Sequence, residues 1–205
     1  MTPTPLTPAE IEEERKINNR RVAFLDAKIA ALSVQLKQQL MKNLAKTAAN
    51  GVKMLSDRLV QWKIHPPSDK TEHIAVCILP SSEMPIINGR VASGVAWPTQ
   101  GAIGVINHLI FAPKEVQRSV VIHECLHLVY PHLQQKLSQQ PKIRMGILED
   151  YPEDHHVEEE WVRKLEARVC GSINKLEYWE LAVEEFGDNW KPAYEKFKML
   201  KSSKG

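Results

Sequence analysis

Apolar residues in the first part of the chain recur at alternating three- and four-residue intervals, at Val22, Leu25, Ile29, Leu32 and Leu36. That spacing predicts a helix with one apolar stripe, in the manner of a coiled-coil seam. Thr7-Pro8-Ala9-Glu10 supplies its start, with Thr7 as N-cap, Pro8 at the first helical position and Glu10 closing a capping box. The helix is predicted to run to about residue 49 and to stop at Asn50-Gly51. Its stripe can pack on the protein's own body or join a second copy or a partner helix. Because the pattern weakens after about two heptads, packing on the body is the reading adopted. A shorter helix, Val52 to Trp62, is expected next, broken at His65-Pro66-Pro67-Ser68.

The pattern then changes. His73 to Leu79 is a short apolar run ending at Pro80 and reads as a buried strand. Ile86 to Trp97 holds Asn88-Gly89, a hairpin signal with strands expected on either side. Gly101 to Phe111 is the next predicted strand, and Ala112-Pro113 opens a helix expected to end near Tyr130, because Pro131 cannot continue it. Residues 133–153 are polar and punctuated by proline, which suggests a loop with a short helical piece. Asp154 can cap a helix that reaches Cys170 and stops at Gly171. Two further helices are expected, Lys175 to Phe186 and Lys191 to Lys201. The predicted class is therefore α+β, mostly helical, with a small mixed sheet packed on the helix that follows Pro113. Three segments follow from the pattern: an N-terminal helical segment over 1–64, a core over 65–171 and C-terminal helices over 172–205. Residues 1–6 form a Pro/Thr tail with no structural signal.

Composition narrows the function classes. The chain has 205 residues, a net charge of +2, 43% hydrophobic and 25% charged residues, as an ordinary globular protein does. So small a net charge does not indicate nucleic acid as the main partner. No run of about 18 apolar residues occurs, so no membrane span is expected. The start, Met1-Thr-Pro-Thr-Pro-Leu, lacks the basic and apolar regions of a secretory signal. Cys77, Cys125 and Cys170 are scattered and odd in number, which fits a reducing, cytoplasmic setting better than a disulfide framework.

The chemistry lies in the helix after Pro113. His123-Glu124-Cys125-Leu126-His127 is an HExxH sequence embedded in Val120-Val121-Ile122 and Leu128-Val129. Residues four apart share a helix face, so both imidazoles can grip one metal ion from the same side, and Glu124 can take the proton of an activated water. Two histidines and a glutamate on an apolar helix are costly to bury unless they have partners, and a zinc ion supplies them. A catalytic zinc takes three protein ligands and keeps a fourth position for water. Glu159 is one candidate for the third, at the edge of the apolar stripe of Val162, Leu165, Val169 and Cys170. His132 is another, if the chain turns back after Pro131, and Glu158, nearer the middle of that stripe, is a further one. His155 is a minor candidate. His65, His73 and His108 are not expected to be ligands.

Asn107-His-Leu-Ile-Phe-Ala-Pro113 leading into His123-Glu124-Cys125-Leu126-His127 resembles the core of the small zincin-like metallopeptidases, the minigluzincins together with the YgjP-like and SprT-like proteins. The match covers roughly residues 95–132. The resemblance implies a zinc peptidase with His123 and His127 as metal ligands, Glu124 as general base and a peptide or protein as substrate. It further implies a strand along which an extended substrate pairs, for which Gly101 to His108 is the expected segment, with His108 or Tyr130 near the oxyanion. His132 falls one residue earlier than the third His of the YgjP-like pattern. Val162 and Arg163 follow Glu159 where the gluzincin pattern prefers a small residue and then Asp or Asn. The alternative function is a zinc-stabilised binding protein that cuts nothing and acts through its long N-terminal helix. Trp161, Trp179 and Trp190 would then offer a recognition surface, and four protein ligands instead of three would mark the site as structural. A third role, sensing metal or redox state through Cys125, would need a reactive thiol there.

Overall fold

The computed structural model describes residues 7–62, 74–87, 89–139 and 158–171. It is a mixed α+β fold, mostly helical. In chain order the elements are α1 (Pro8–Ala31), α2 (Val34–Gln61), β1 (Ala75–Leu79), β2 (Ile86–Ile87), β3 (Arg90–Val91), β4 (Gly94–Trp97), β5 (Ala102–Ile106), α3 (Lys114–Gln139) and α4 (Glu158–Cys170). The predicted helices of 172–205, the Asp154 cap, His65, His73, His155, His156, Trp179 and Trp190 lie outside the described residues.

The first helix is not continuous to residue 49. It ends at Ala31, and a second begins after Ser33, whose extended backbone and side chain, accepting from the Leu36 amide at 3.3 Å, make it the N-cap of α2. Serine there offers the backbone an oxygen that the helix interior cannot, so the break is chemically specified. Asn50-Gly51 is no stop either. Gly51 lies inside α2 against α3, where a Cβ would sit 3.1 Å from Val121 Cγ1, so the glycine permits close approach of two helices. The apolar stripe divides accordingly. Leu25 and Ile29 are buried on the body of the protein, while Leu36, beyond the break, is 48% exposed. Leu44, Ala48, Leu55 and Leu59 of α2 share one core with α3 and the sheet.

The main sheet has the order β1-β5-β4, with β1 parallel and β4 antiparallel to β5. The central strand β5 is apolar throughout, and its Ile103 and Val105 are fully buried. Gly104 belongs there because a Cβ would lie 2.7 Å from the Trp97 ring of β4. The predicted strand to Phe111 stops at Ile106, and Asn107–Phe111 winds into a 3-10 turn instead. The predicted hairpin forms as β2 and β3, with Gly89 at φ 77°.

Helix α3 packs against α2, α4, β4 and β5. Val121, Ile122, Cys125, Leu126 and Val129 are buried, which leaves a narrower face for the polar residues. The helix does not end at Tyr130 but continues through Pro131 to Gln139. An interior proline costs about 3 kcal/mol, a loss that a helix buried on several sides can absorb.

Candidate metal centre

Helical spacing puts His123 and His127 on one face of α3, and α4 crosses that face. The two Nε2 atoms lie 3.3 Å apart. Glu159 places Oε2 at 3.2 Å from His127 Nε2 and 3.4 Å from His123 Nε2. These three residues are the group able to hold a metal ion among the described residues. Four ligands set tetrahedrally at zinc-like bond lengths are separated by about 3.3–3.4 Å, so the observed triangle has the size of one tetrahedral face.

The outer nitrogens explain why the inner ones converge. His123 Nδ1 meets Glu166 Oε2 at 2.9 Å, and the other oxygen of Glu166 accepts from the Ser119 hydroxyl. His127 Nδ1 meets Glu158 Oε1 at 2.7 Å. A carboxylate only accepts, so each Nδ1 carries a proton and each Nε2 is turned inward, where a ring deprotonated at that nitrogen offers its lone pair. Two ring nitrogens and a carboxylate oxygen within 3.4 Å of one another need positive charge among them, a metal ion or, in its absence, the histidines' own protons. Arg163 Nε donates to Glu159 Oε1 at 2.9 Å and turns the other oxygen of that carboxylate toward the histidines.

The protonation of the metal-free centre reflects the same crowding. Burial disfavours charge on His127, but the Glu159 and Glu158 carboxylates, with Glu124 behind them, outweigh it and raise its pKa to about 9. Hydrogen bonds from His123 and His127 hold Glu159 far below the usual carboxylate range, against the opposing effect of burial.

Glu124 is buried, at 8% exposure, and lies against the edge strand. A Cβ at Gly94 of β4 would fall 2.5 Å from both Cγ and Oε1 of Glu124, so only glycine fits beside this carboxylate. Glu124, His123, His127 and Glu159 open on a cavity of about 1190 Å³. Strand β5 is not its edge, contrary to the expectation for Gly101 to His108, since β5 is paired on both sides. The edge strand along the cavity is β4.

His108 also lines this cavity, with Nε2 at 2.7 Å from Asp26 Oδ1, and the other oxygen of Asp26 accepts from Ser81 Oγ at 2.7 Å. Burial lowers the His108 pKa against the pull of Asp26. Tyr130 is not among the residues lining the cavity. His132 belongs to the continuing α3, where five residues rotate its position about 140° from that of His127, so the expected turn toward the metal does not occur. Cys125 is wholly buried and its thiol is pushed far up by burial, the surroundings of a packing residue.

The sequence reading brought out His123, Glu124, His127 and Glu159, and weighed Glu158 as a ligand where it holds an outer nitrogen instead. It missed Glu166, Ser119, Gly94 and Asp26. Glu166 was legible: it shares the apolar stripe of Val162, Leu165 and Val169, where a carboxylate must have partners. The others depend on contacts between distant segments. Comparisons with protein-family models, curated proteins and solved structures find no match for this chain.

Proposed function

We propose that this chain is a zinc-dependent peptide-bond hydrolase of the zincin-like kind that its residues 95–132 resemble. The observation that carries the reading is the convergence of two imidazole Nε2 atoms and one carboxylate oxygen, with each outer nitrogen held by a second carboxylate. Paired imidazoles with a carboxylate favour zinc over magnesium or calcium, which take oxygen ligands. His123, His127 and Glu159 would hold the ion, and three protein ligands leave a position open for chemistry.

A zinc ion bound there supplies Lewis acidity, bringing the pKa of a coordinated water toward about 7 and polarising the scissile carbonyl. Glu124 takes the proton of the attacking water and delivers it to the departing amine, a role its buried position beside the histidines supports. Glu158 and Glu166 keep both rings in the tautomer that faces inward. The outer edge of β4 offers backbone groups to an extended peptide, and Gly94 lets that strand run close to Glu124.

The test is digestion of a protein-derived peptide mixture by the zinc-loaded chain, with products read by mass spectrometry. The parent should cut, and Glu124→Gln should keep its zinc while losing hydrolysis by about a hundredfold or more. A parent that cuts nothing, or a variant that cuts as fast as the parent, overturns the reading.

A further inference from the structure

The cavity has a second charged region that metal binding does not use. Arg21 of α1 and Arg90 of β3 both line it, and both are half-buried. One hydrogen bond joins their elements: Asn18 Oδ1 accepts from the Val91 amide at 2.9 Å. Arg21 lies three residues after Asn18 on the same face of α1, and Arg90 is the neighbour of Val91, so the two arginines flank that bond. Val22, Leu25 and Ile87 form the apolar wall around them.

Three glutamates of the cavity belong to the metal centre. Glu158 and Glu166 hold the histidines, and Glu159 faces both rings and Arg163. Among the described lining residues three arginines stand against four glutamates, a balance that one divalent ion turns positive. A guanidinium carries five donors in a planar fork that matches a carboxylate, so it can take up a ligand oxygen alongside other contacts.

We propose that Arg21 and Arg90 form a carboxylate-selecting subsite, and that the chain takes peptides bearing an acidic side chain or a free C-terminal carboxylate. The inference rests on the peptidase reading and names the substrate class of that site. The cavity is larger than the roughly 300–1,000 Å³ of sites for single small molecules, as a site for a peptide with a specificity arm should be.

The experiment uses the full-length, zinc-loaded Glu124→Gln protein and fluorescent N-acetylated peptides on a neutral scaffold. One set carries a single Glu at successive positions, a twin set carries Gln, and every peptide is made as free acid and as C-terminal amide. Fluorescence anisotropy should show about tenfold tighter binding of carboxylate-bearing peptides. Preference for Glu among the amides identifies a side chain as the source, and preference for free acids whatever the internal residue identifies the C-terminus. The preference should vanish in the Arg21→Gln/Arg90→Gln pair, be intermediate in each single variant and persist in part in the Arg21→Lys/Arg90→Lys pair. Equal binding of all four peptide classes, no peptide binding, or a preference that survives in a folded Gln pair overturns the proposal. The parental measurement stands alone if that pair does not fold. Peptides bound by charge yet uncut when Glu124 is intact would overturn the hydrolase reading only, and peptides cut without regard to charge would overturn this subsite only.

Discussion

Three glutamates on one helix have different roles at this centre, and the difference comes from their places along and around the helix. Glu159 reaches both Nε2 atoms, Glu158 holds the outer nitrogen of His127, and Glu166, two turns further on, holds that of His123. Their removal should therefore separate by size. Glu159→Ala should abolish stoichiometric zinc binding, whereas Glu158→Gln and Glu166→Gln should weaken it by about 10–100-fold, as loss of an outer partner does. Competition against a chelating dye measures all three, and equal losses would contradict these assignments. At this scale much was legible in the sequence. Two histidines one turn apart and a glutamate on a facing apolar stripe are local patterns. Gly94 was not, because its requirement arises only when β4 meets Glu124, thirty residues on.

The elements show where local signals mislead. Asn50-Gly51 has the composition of a helix end, yet Gly51 is retained for the contact with Val121. Pro131 has the chemistry of a stop, yet α3 continues past it. Ser33, which the apolar spacing passes over, sets the real boundary through its bond to the Leu36 amide. At Gly51 a tertiary contact outweighs a propensity of about 1 kcal/mol, and at Ser33 a cap sets the boundary. Gly51→Leu follows directly. The larger side chain meets Val121 and the Arg118 carbonyl, so it should destabilise the α2–α3 interface by about 1–3 kcal/mol, read as a lower urea midpoint at unchanged slope. An unchanged or raised midpoint would show that α2 does not approach α3 so closely.

Across the whole molecule, two residues of α1 tie it to distant segments, Asn18 through Val91 and Asp26 through His108 and Ser81. These connect segments more than fifty residues apart, which no periodicity reveals. Burial holds the folded-state pKa of His108 below its ordinary 6.5. As pH falls below that value the unfolded chain takes up the proton first, so stability declines on acidification. Acidification from pH 6.5 to 5 should thus lower the thermal stability of the metal-free parent relative to that of His108→Gln. His127, raised to about 9, stays protonated in the folded state while the unfolded chain, at an ordinary 6.5, completes its protonation over this range, so it contributes an opposing slope common to parent and variant. Identical slopes for parent and variant would contradict the assignment. Among the described residues no helix is long and apolar enough to cross a membrane.

X-ray absorption at the zinc edge on the stoichiometrically loaded full chain tests the central claim most directly. The account predicts one zinc per chain with two imidazole nitrogens and carboxylate oxygen at about 2.0–2.2 Å, a further light-atom ligand from solvent, and loss of this signature in His127→Ala. No bound zinc, a sulfur ligand, or an unchanged spectrum in that variant would contradict it.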